Sequence, residues 1–332
     1  MAKSANQKLK LLYILKILKE QTDEKHALST SRIIELLAEY DIQAERKSIY
    51  DDMLKLGDFG YDILCNKTKE NNGYYLASRE FELPELKLLV DAVQSSKFIT
   101  KRKSRELIGK LETLASSYEA KELQRSVYVA DRAKTMNESI YYNVDAIHRA
   151  MNNNVQISFQ YSEWGTDKKL HPRKEGKPYQ VSPYQLIWDD ANYYLVAYDE
   201  EQEMLKHYRV DKMSNVWLVE EKRRGSERFK NFNPAVYSNR MFGMYGGAEE
   251  LVQIRFNNHM IGVVMDRFGA DVDIRVLDDK YFSIRVYVMV SPQFFGWLAG
   301  LGKNAMITGP KKVADSYRGY LQQIVESYES ID

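Results

Sequence analysis

Between residues 155 and 219 the chain offers five short segments in which apolar and polar side chains alternate with a period of two: 155–161, 179–188, 193–198, 204–208 and 215–219. Successive side chains of a strand point to opposite faces, so the pattern reads as half-buried strands. The intervening turns are tight and polar. Five such strands in a row predict a small β-barrel.

The flanking sequence changes period. Residues 8–20 place Leu9, Leu12, Tyr13, Leu15, Ile17 and Leu18 on one side of a helix. Ser29-Thr30-Ser31 offers a cap for a second helix over 32–37. A third, over 44–56, has Ile49, Met53, Leu54 and Leu56 as apolar positions and ends at Gly57 and Gly60. Two short strands, 61–65 and 73–76, then enclose a polar loop that carries Lys67 and Lys69. Three helices and a hairpin with a basic tip is the layout of a winged helix-turn-helix.

Two more helices are expected over 83–118, with Pro84 in a first turn and Leu86, Leu89, Val90 and Val93 on one face. Residues 127–129 form a candidate strand, and a short helix over 142–152 leads into the barrel. Asn233-Pro234 and Gly243-Met244-Tyr245-Gly246-Gly247 mark 223–249 as a hinge linker. From 250 the order reads strand, helix, strand, strand, helix and a final helix over 311–328, a small α+β layer. The expected organisation of this α+β chain is therefore 1–80, winged helix-turn-helix; 81–139, helical linker and dimerisation region; 140–222, barrel; 223–249, hinge; and 250–332, C-terminal α+β domain.

Net charge is +1 over 332 residues, so no global basic field announces nucleic acid, and a DNA argument must rest on local placement. The third helix has that placement. Arg46 or Lys47 can reach guanine O6 and N7, Ser48 and Tyr50 can take phosphate oxygens, and Lys67 and Lys69 lie at the wing tip. Ser31 joins them at the start of the preceding helix. A solvated polar face is the alternative reading. Of Asp51 and Asp52, one is expected to cap or pair within the domain, since a carboxylate beside phosphate is repelled.

The motifs resemble those of the WYL-domain transcriptional regulators grouped with DeoR/YafY-type winged-helix proteins. Residues 46–53 (RKSIYDDM) resemble the recognition-helix pattern, with Asp51 where arginine is usual. Residues 192–198 (NYYLVAY) are similar to the motif that names the family, Tyr193 replacing tryptophan. Residues 208–213 (YRVDKM), 157–161 (ISFQY) and 181–186 (VSPYQL) match companion motifs in the family's order. Residues 252–256, 297–302 and 309–313 resemble its C-terminal extension. The resemblance implies an Sm-like, SH3-type barrel that senses a nucleotide or single-stranded nucleic acid, a homodimer, and a double-stranded DNA operator.

An anion pocket in that barrel needs fixed cations with hydrogen-bonding neighbours. Arg209 is the leading candidate because a guanidinium grips phosphate bidentately, although Asp211 can pair with it instead. Lys212 lies three residues on, and His207 two residues before. Tyr161, Ser182 and Tyr194 can supply hydroxyls, and Tyr193 or Tyr184 a stacking face. The basic stretch Lys168, Lys169, His171, Arg173, Lys174 and Lys177 reads as a solvated turn or as a wider electrostatic path.

Catalysis is not expected. The chain has neither a G-x-x-x-x-G-K-[ST] loop nor a G-x-S-x-G elbow, and its five histidines lack metal-ligand spacing. No cofactor and no metal are expected. Cys65 is the sole cysteine, no apolar run is long enough to span a bilayer, and the N-terminus lacks a signal peptide's apolar core. The expectation is a cytoplasmic protein without membrane contact. A protein-contact scaffold and, ranked last, a nucleic-acid-processing enzyme such as a nuclease or nucleotide hydrolase are the other classes left open.

Overall fold

Helices with one apolar stripe bury it against each other, and the N-terminal third of the chain does so. In the computed structural model, which describes residues 6–123, 134–230, 233–244 and 246–329, helices α1 (Lys10–Gln21), α2 (Thr30–Ala38) and α3 (Arg46–Asp58) precede the antiparallel hairpin β1 (Ile63–Lys67) and β2 (Asn72–Leu76). Ile14, Ile17 and Leu18 meet Ile33, Leu36 and Leu37, and Ile49, Met53, Leu56 and Leu76 complete the core. Ser29 caps α2, its Oγ accepting from the Arg32 N–H at 3.2 Å. Leu54 is exposed rather than buried. At 100° per residue it lies about 140° around α3 from Ile49, on the side of Lys47 and Tyr50. Leu9 and Leu12 are exposed as well.

Hydrogen bonds hold the hairpin and the segment after it to the helices. Leu28 and Tyr74 exchange main-chain hydrogen bonds of 2.9 and 2.8 Å. A Cβ on the intervening Gly73 would stand 2.2 Å from the Leu28 carbonyl carbon and oxygen, so only glycine permits this approach. Arg79 then donates to the carbonyls of Lys19 (2.9 Å), Thr22 (2.7 Å) and Leu114 (3.4 Å), tying the end of α1 to the helices that follow. Those helices are α4 (Leu83–Ser95), α5 (Lys101–Glu112) and α6 (Ser117–Leu123). Pro84 sits in the first turn of α4 behind a Glu82/Glu85 capping box. Leu86 and Val90 pack on Ile108, Leu111, Ala115 and Leu123, while Leu89 is exposed. The candidate strand at 127–129 lies outside the described residues.

Met1–Met136 and Asn137–Asp332 form separate units. The second opens with α7 (Ile140–Asn152) and continues through β3 (Val155–Trp164), β4 (Leu170–Pro172), β5 (Tyr179–Asp189), β6 (Asn192–Asp199), β7 (Met204–Arg209) and β8 (Met213–Lys222). All five expected strands are present. The ladders run β4-β3-β5-β6-β7, all antiparallel, with β8 on β3, which makes a curled sheet or half-barrel. Ile157, Phe159, Val181, Leu195, Ala197 and Met213 are buried, and α7 packs on the sheet with Ala146, Ile147 and Ala150 buried.

The stretch expected to be a hinge carries α8 (Pro234–Arg240) and three buried side chains. Met241 and Met244 pack with Ile187 and Val196 of the curled sheet, and Phe242 belongs to the next core. That core lies beneath a second antiparallel sheet, built from β9 (Ala248–Asn257), α9 (Ile261–Phe268), β10 (Ile274–Val276), β11 (Tyr281–Val290), α10 (Pro292–Gly300), β12 (Ala305–Gly309) and α11 (Lys311–Glu329). Its strand order is β10-β11-β9-β12. The fold is thus mixed α+β. No helix among the described residues is long and apolar enough to cross a membrane.

Candidate functional site

Curling brings the ends of β3, β5, β6 and β7 around one open cleft of about 790 Å³. Its floor is aromatic. Tyr161, Tyr179 and Tyr208 meet edge to face at 5.6–6.1 Å around the buried Phe159, and Tyr194 lines the wall. Burial pushes the Tyr161 hydroxyl up to about 12 and raises those of Tyr194 and Tyr208 as well, so all three remain neutral donors.

The rim is cationic. Arg173, Lys174, Lys206, Arg209 and Lys212 line the cleft against a single carboxylate, Glu163. Four of these cations already have acidic partners. Arg173 faces Glu163 at 3.6 Å, Lys174 faces Glu201 at 3.3 Å and Lys206 faces Asp199 at 2.6 Å. Arg209 donates Nε and Nη2 to Asp211 at 3.0 and 2.8 Å, and Nη2 also to Asn192 Oδ1 at 2.9 Å. The hydrogen bonds to Asp211 hold the guanidinium firmly charged. Its Nη1 makes no hydrogen bond, and Lys212 no ion pair, among the described residues. Arg209 through Nη1, and Lys212, thus keep donors available to an anion.

Of the residues expected to bind ligand, Tyr161, Tyr194, His207, Arg209 and Lys212 come together here. His207 differs from expectation in its chemistry. Burial lowers its pKa to about 4, so at neutral pH it is an uncharged imidazole, with Nε2 2.9 Å from the Tyr237 hydroxyl. Ser182, Tyr184 and Tyr193 do not line the cleft. The Ser182 Oγ accepts from the Arg224 N–H at 2.8 Å, and Tyr184 donates to the Arg224 carbonyl while stacking on Phe229 at 3.8 Å. Tyr193 packs edge-on against Trp188, its cross-strand neighbour. Tyr179, Tyr208 and Lys206 join the cleft without having been singled out as ligand contacts, and Lys174 lies 4.5 Å over the Tyr179 ring.

The cleft is coupled to the chain entering the domain. The short turn Val210–Lys212 carries Asp211 and Lys212. Asn137 donates to the carbonyls of Asp211 (3.0 Å) and Met213 (2.9 Å), and Asn143 of α7 also donates to Met213 (3.0 Å). The first residue of this unit is thereby hydrogen-bonded to the turn that carries Asp211.

In the N-terminal unit, Arg46, Lys47 and Tyr50 are exposed along α3, and Lys67 and Lys69 are exposed on the hairpin. Ser31 is exposed in the first turn of α2, whose cap is Ser29. Ser48 is half-buried and bonded by the Lys10 ammonium, which also pairs with the buried Asp52 at 2.7 Å. Asp51 pairs with Lys55 one turn on. Both carboxylates are therefore neutralised within the domain. Asn71 anchors the hairpin, its Oδ1 accepting from the Ala27 N–H (2.7 Å) and its Nδ2 donating to the Glu24 carbonyl (2.9 Å).

Residues 142–218 match the WYL domain family, so the curled sheet with its leading helix α7 is a WYL domain. Among solved structures the chain is similar to the proteasome accessory factor B/C (PafBC) of Arthrobacter aurescens. Identity is 16%, coverage is 98% of this chain and 49% of that one, and the TM-score is 0.28. This chain thus spans about half the length of that protein. It is also similar to a CRISPR Cas-related protein, with 13% identity, 97% and 85% coverage, and a TM-score of 0.37. No curated protein matches the chain.

Proposed function

We propose that this chain is a DNA-binding transcriptional regulator whose WYL cleft senses a nucleotide or single-stranded nucleic acid. The observation that carries the reading is the cleft, where five cations and one carboxylate surround a floor of tyrosines. Phosphates suit the rim and base faces suit the rings. The N-terminal helices and hairpin then act as a winged helix-turn-helix. Helix α3 presents Arg46 and Lys47 to a major groove, Tyr50 meets the backbone, and Lys67 and Lys69 on the wing touch phosphates. The protein works without catalysis, in the cytoplasm and as a homodimer that sets two such helices on a pseudo-palindromic duplex operator.

A ligand works as a signal only if it binds one conformation better than another. Here the differential contact is Arg209. In the free cleft it is held by Asp211; a phosphate that displaces Asp211 shifts the 210–212 turn and, through Asn137, the chain leading to the N-terminal unit. Exposed Leu54 and Phe59 at α3 favour a second reading, a winged helix that docks on protein. Selection of bound sequences from a random duplex pool at near-physiological salt separates the two. Recovery of an inverted repeat supports the regulator. No enrichment, with or without nucleotides and single strands present, leaves the protein-contact module.

A further inference from the structure

We infer that the outer face of the C-terminal sheet is a second nucleic-acid site, one that binds single strands. It lies outside the WYL cleft and does not depend on the reading given to that cleft.

Alternation assigns the two faces. Val252, Ile254 and Phe256 of β9 and Phe282, Ile284 and Val288 of β11 point into the core under α9 and α10. Their neighbours therefore point the other way. Register sets them in rows: Asn257 beside Tyr281, Arg255 beside Ser283 beside Arg275, Gln253 beside Arg285, and Leu251 beside Tyr287. Arg255, Arg275 and Arg285 thus share the face opposite that core, which α8 and the residues after it reach at Tyr287 and Met289.

These rows enclose a depression of about 450 Å³ lined by Gln253, Arg275, Ser283 and Arg285, with Asp273 as the one carboxylate in its lining. Arg275 and Arg285 are exposed, and neither has an ion-pair partner among the described residues. As diagonal neighbours across β10 and β11 they stand about 7–8 Å apart at the backbone, so one phosphodiester chain can engage both. Ser283 lies between them, only 3% exposed, and its hydroxyl makes no hydrogen bond among the described residues. A polar group left at the bottom of a cationic depression is suited to a phosphate oxygen.

Rings flank the cations. Tyr281 lies under the Arg255 guanidinium at 4.5 Å, and Tyr287, half exposed, has Arg240 at 5.1 Å. Arg240 is itself neutralised by Glu249. Strand-borne tyrosines on an open sheet offer platforms on which unpaired bases stack, whereas a duplex hides its base faces. Charge complementarity and these platforms together select a single strand over a duplex or an acidic protein.

The test uses the full chain carrying Arg209→Ala, which removes the leading phosphate contact of the WYL cleft, and a fluorescent oligothymidylate. Binding is followed by anisotropy across a salt series, and hydrogen exchange locates the contact. Bound oligonucleotide should slow exchange in 251–257 and 281–287. The R275Q/R285Q double variant should bind about tenfold more weakly or worse, with a salt slope shallower by about 1.4, or about 0.7 for each lost phosphate contact. R275K/R285K, which keeps both charges, should recover most of the affinity and so separates loss of charge from misfolding. Protection confined to 155–222, undiminished binding by the glutamine variant, or absence of any oligothymidylate binding would each overturn the assignment.

Discussion

Replacing Asp211 by Asn should tighten anion binding in the WYL cleft while weakening the fold. Asp211 occupies the Nε and Nη2 donors of Arg209 at 3.0 and 2.8 Å, the same edge a phosphate would grip. At contact distance and an effective dielectric of about 20, such a pair is worth about 4 kcal/mol. The Arg209 side chain is 35% exposed, however, and solvent screening reduces this to about 1–2 kcal/mol. Asparagine keeps an acceptor but not the charge, so an anion no longer has to displace a carboxylate. The expected gain is about 5–30-fold in affinity, read by calorimetry with mono- and dinucleotides. Stability should move the opposite way, falling by about 1–2 kcal/mol, because a half-buried guanidinium then keeps only neutral acceptors, Asn192 among them, in place of a carboxylate. The opposite signs distinguish a ligand-facing arginine from a structural one. Unchanged or weaker binding in a folded D211N protein would show that the ligand does not reach Arg209.

Arg79→Ala removes the donor to three carbonyls and the partner of Glu119 at a site 12% exposed, and should destabilise the N-terminal unit by about 2–4 kcal/mol in urea; a change below about 0.5 kcal/mol would refute this role. His207 titrates near 4 when folded and near 6.5 when unfolded, so the unfolded chain takes up the proton first as pH falls. Its contribution is intact above about 6.5 and is lost toward 4, by up to about 3 kcal/mol. His207→Gln should flatten that part of the pH–stability curve, and an identical slope in the variant would assign the loss elsewhere. The R46A/K47A double variant should lower duplex affinity and reduce its salt slope by about 1.8, whereas an unchanged slope would remove these side chains from the DNA contact.

The architecture was legible where periodicity is strong and obscure where contact is made at long range. Alternation in 155–161 or 193–198 marks a strand whatever lies beside it. Leu170–Pro172 has three residues and a proline, and Ala305–Gly309 ends in glycine, so neither β4 nor β12 announces itself. Leu54 illustrates a different limit: it counts among the apolar positions of the third helix, yet its angular position puts it in solvent. In the cleft, Tyr161, Tyr194, Arg209 and Lys212 lie in or beside recognisable motifs. Tyr179 and Lys174 arrive only because the sheet curls, which no local pattern encodes. Ser182 and Tyr184 fail as ligand contacts for a related reason. Their hydroxyls are taken by Arg224, in a stretch read as linker.

A cleft that senses and a winged helix that reads DNA must change each other's affinity by the same factor. The most direct measurement takes the complex of the full chain with its selected duplex, labelled for anisotropy, and titrates the single-stranded or nucleotide ligand. The expected result is a change in duplex affinity of about 5–150-fold that saturates with the ligand and disappears in Arg209→Ala. A duplex affinity that stays constant while the cleft fills, or a change that survives in Arg209→Ala, would contradict the proposed sensor.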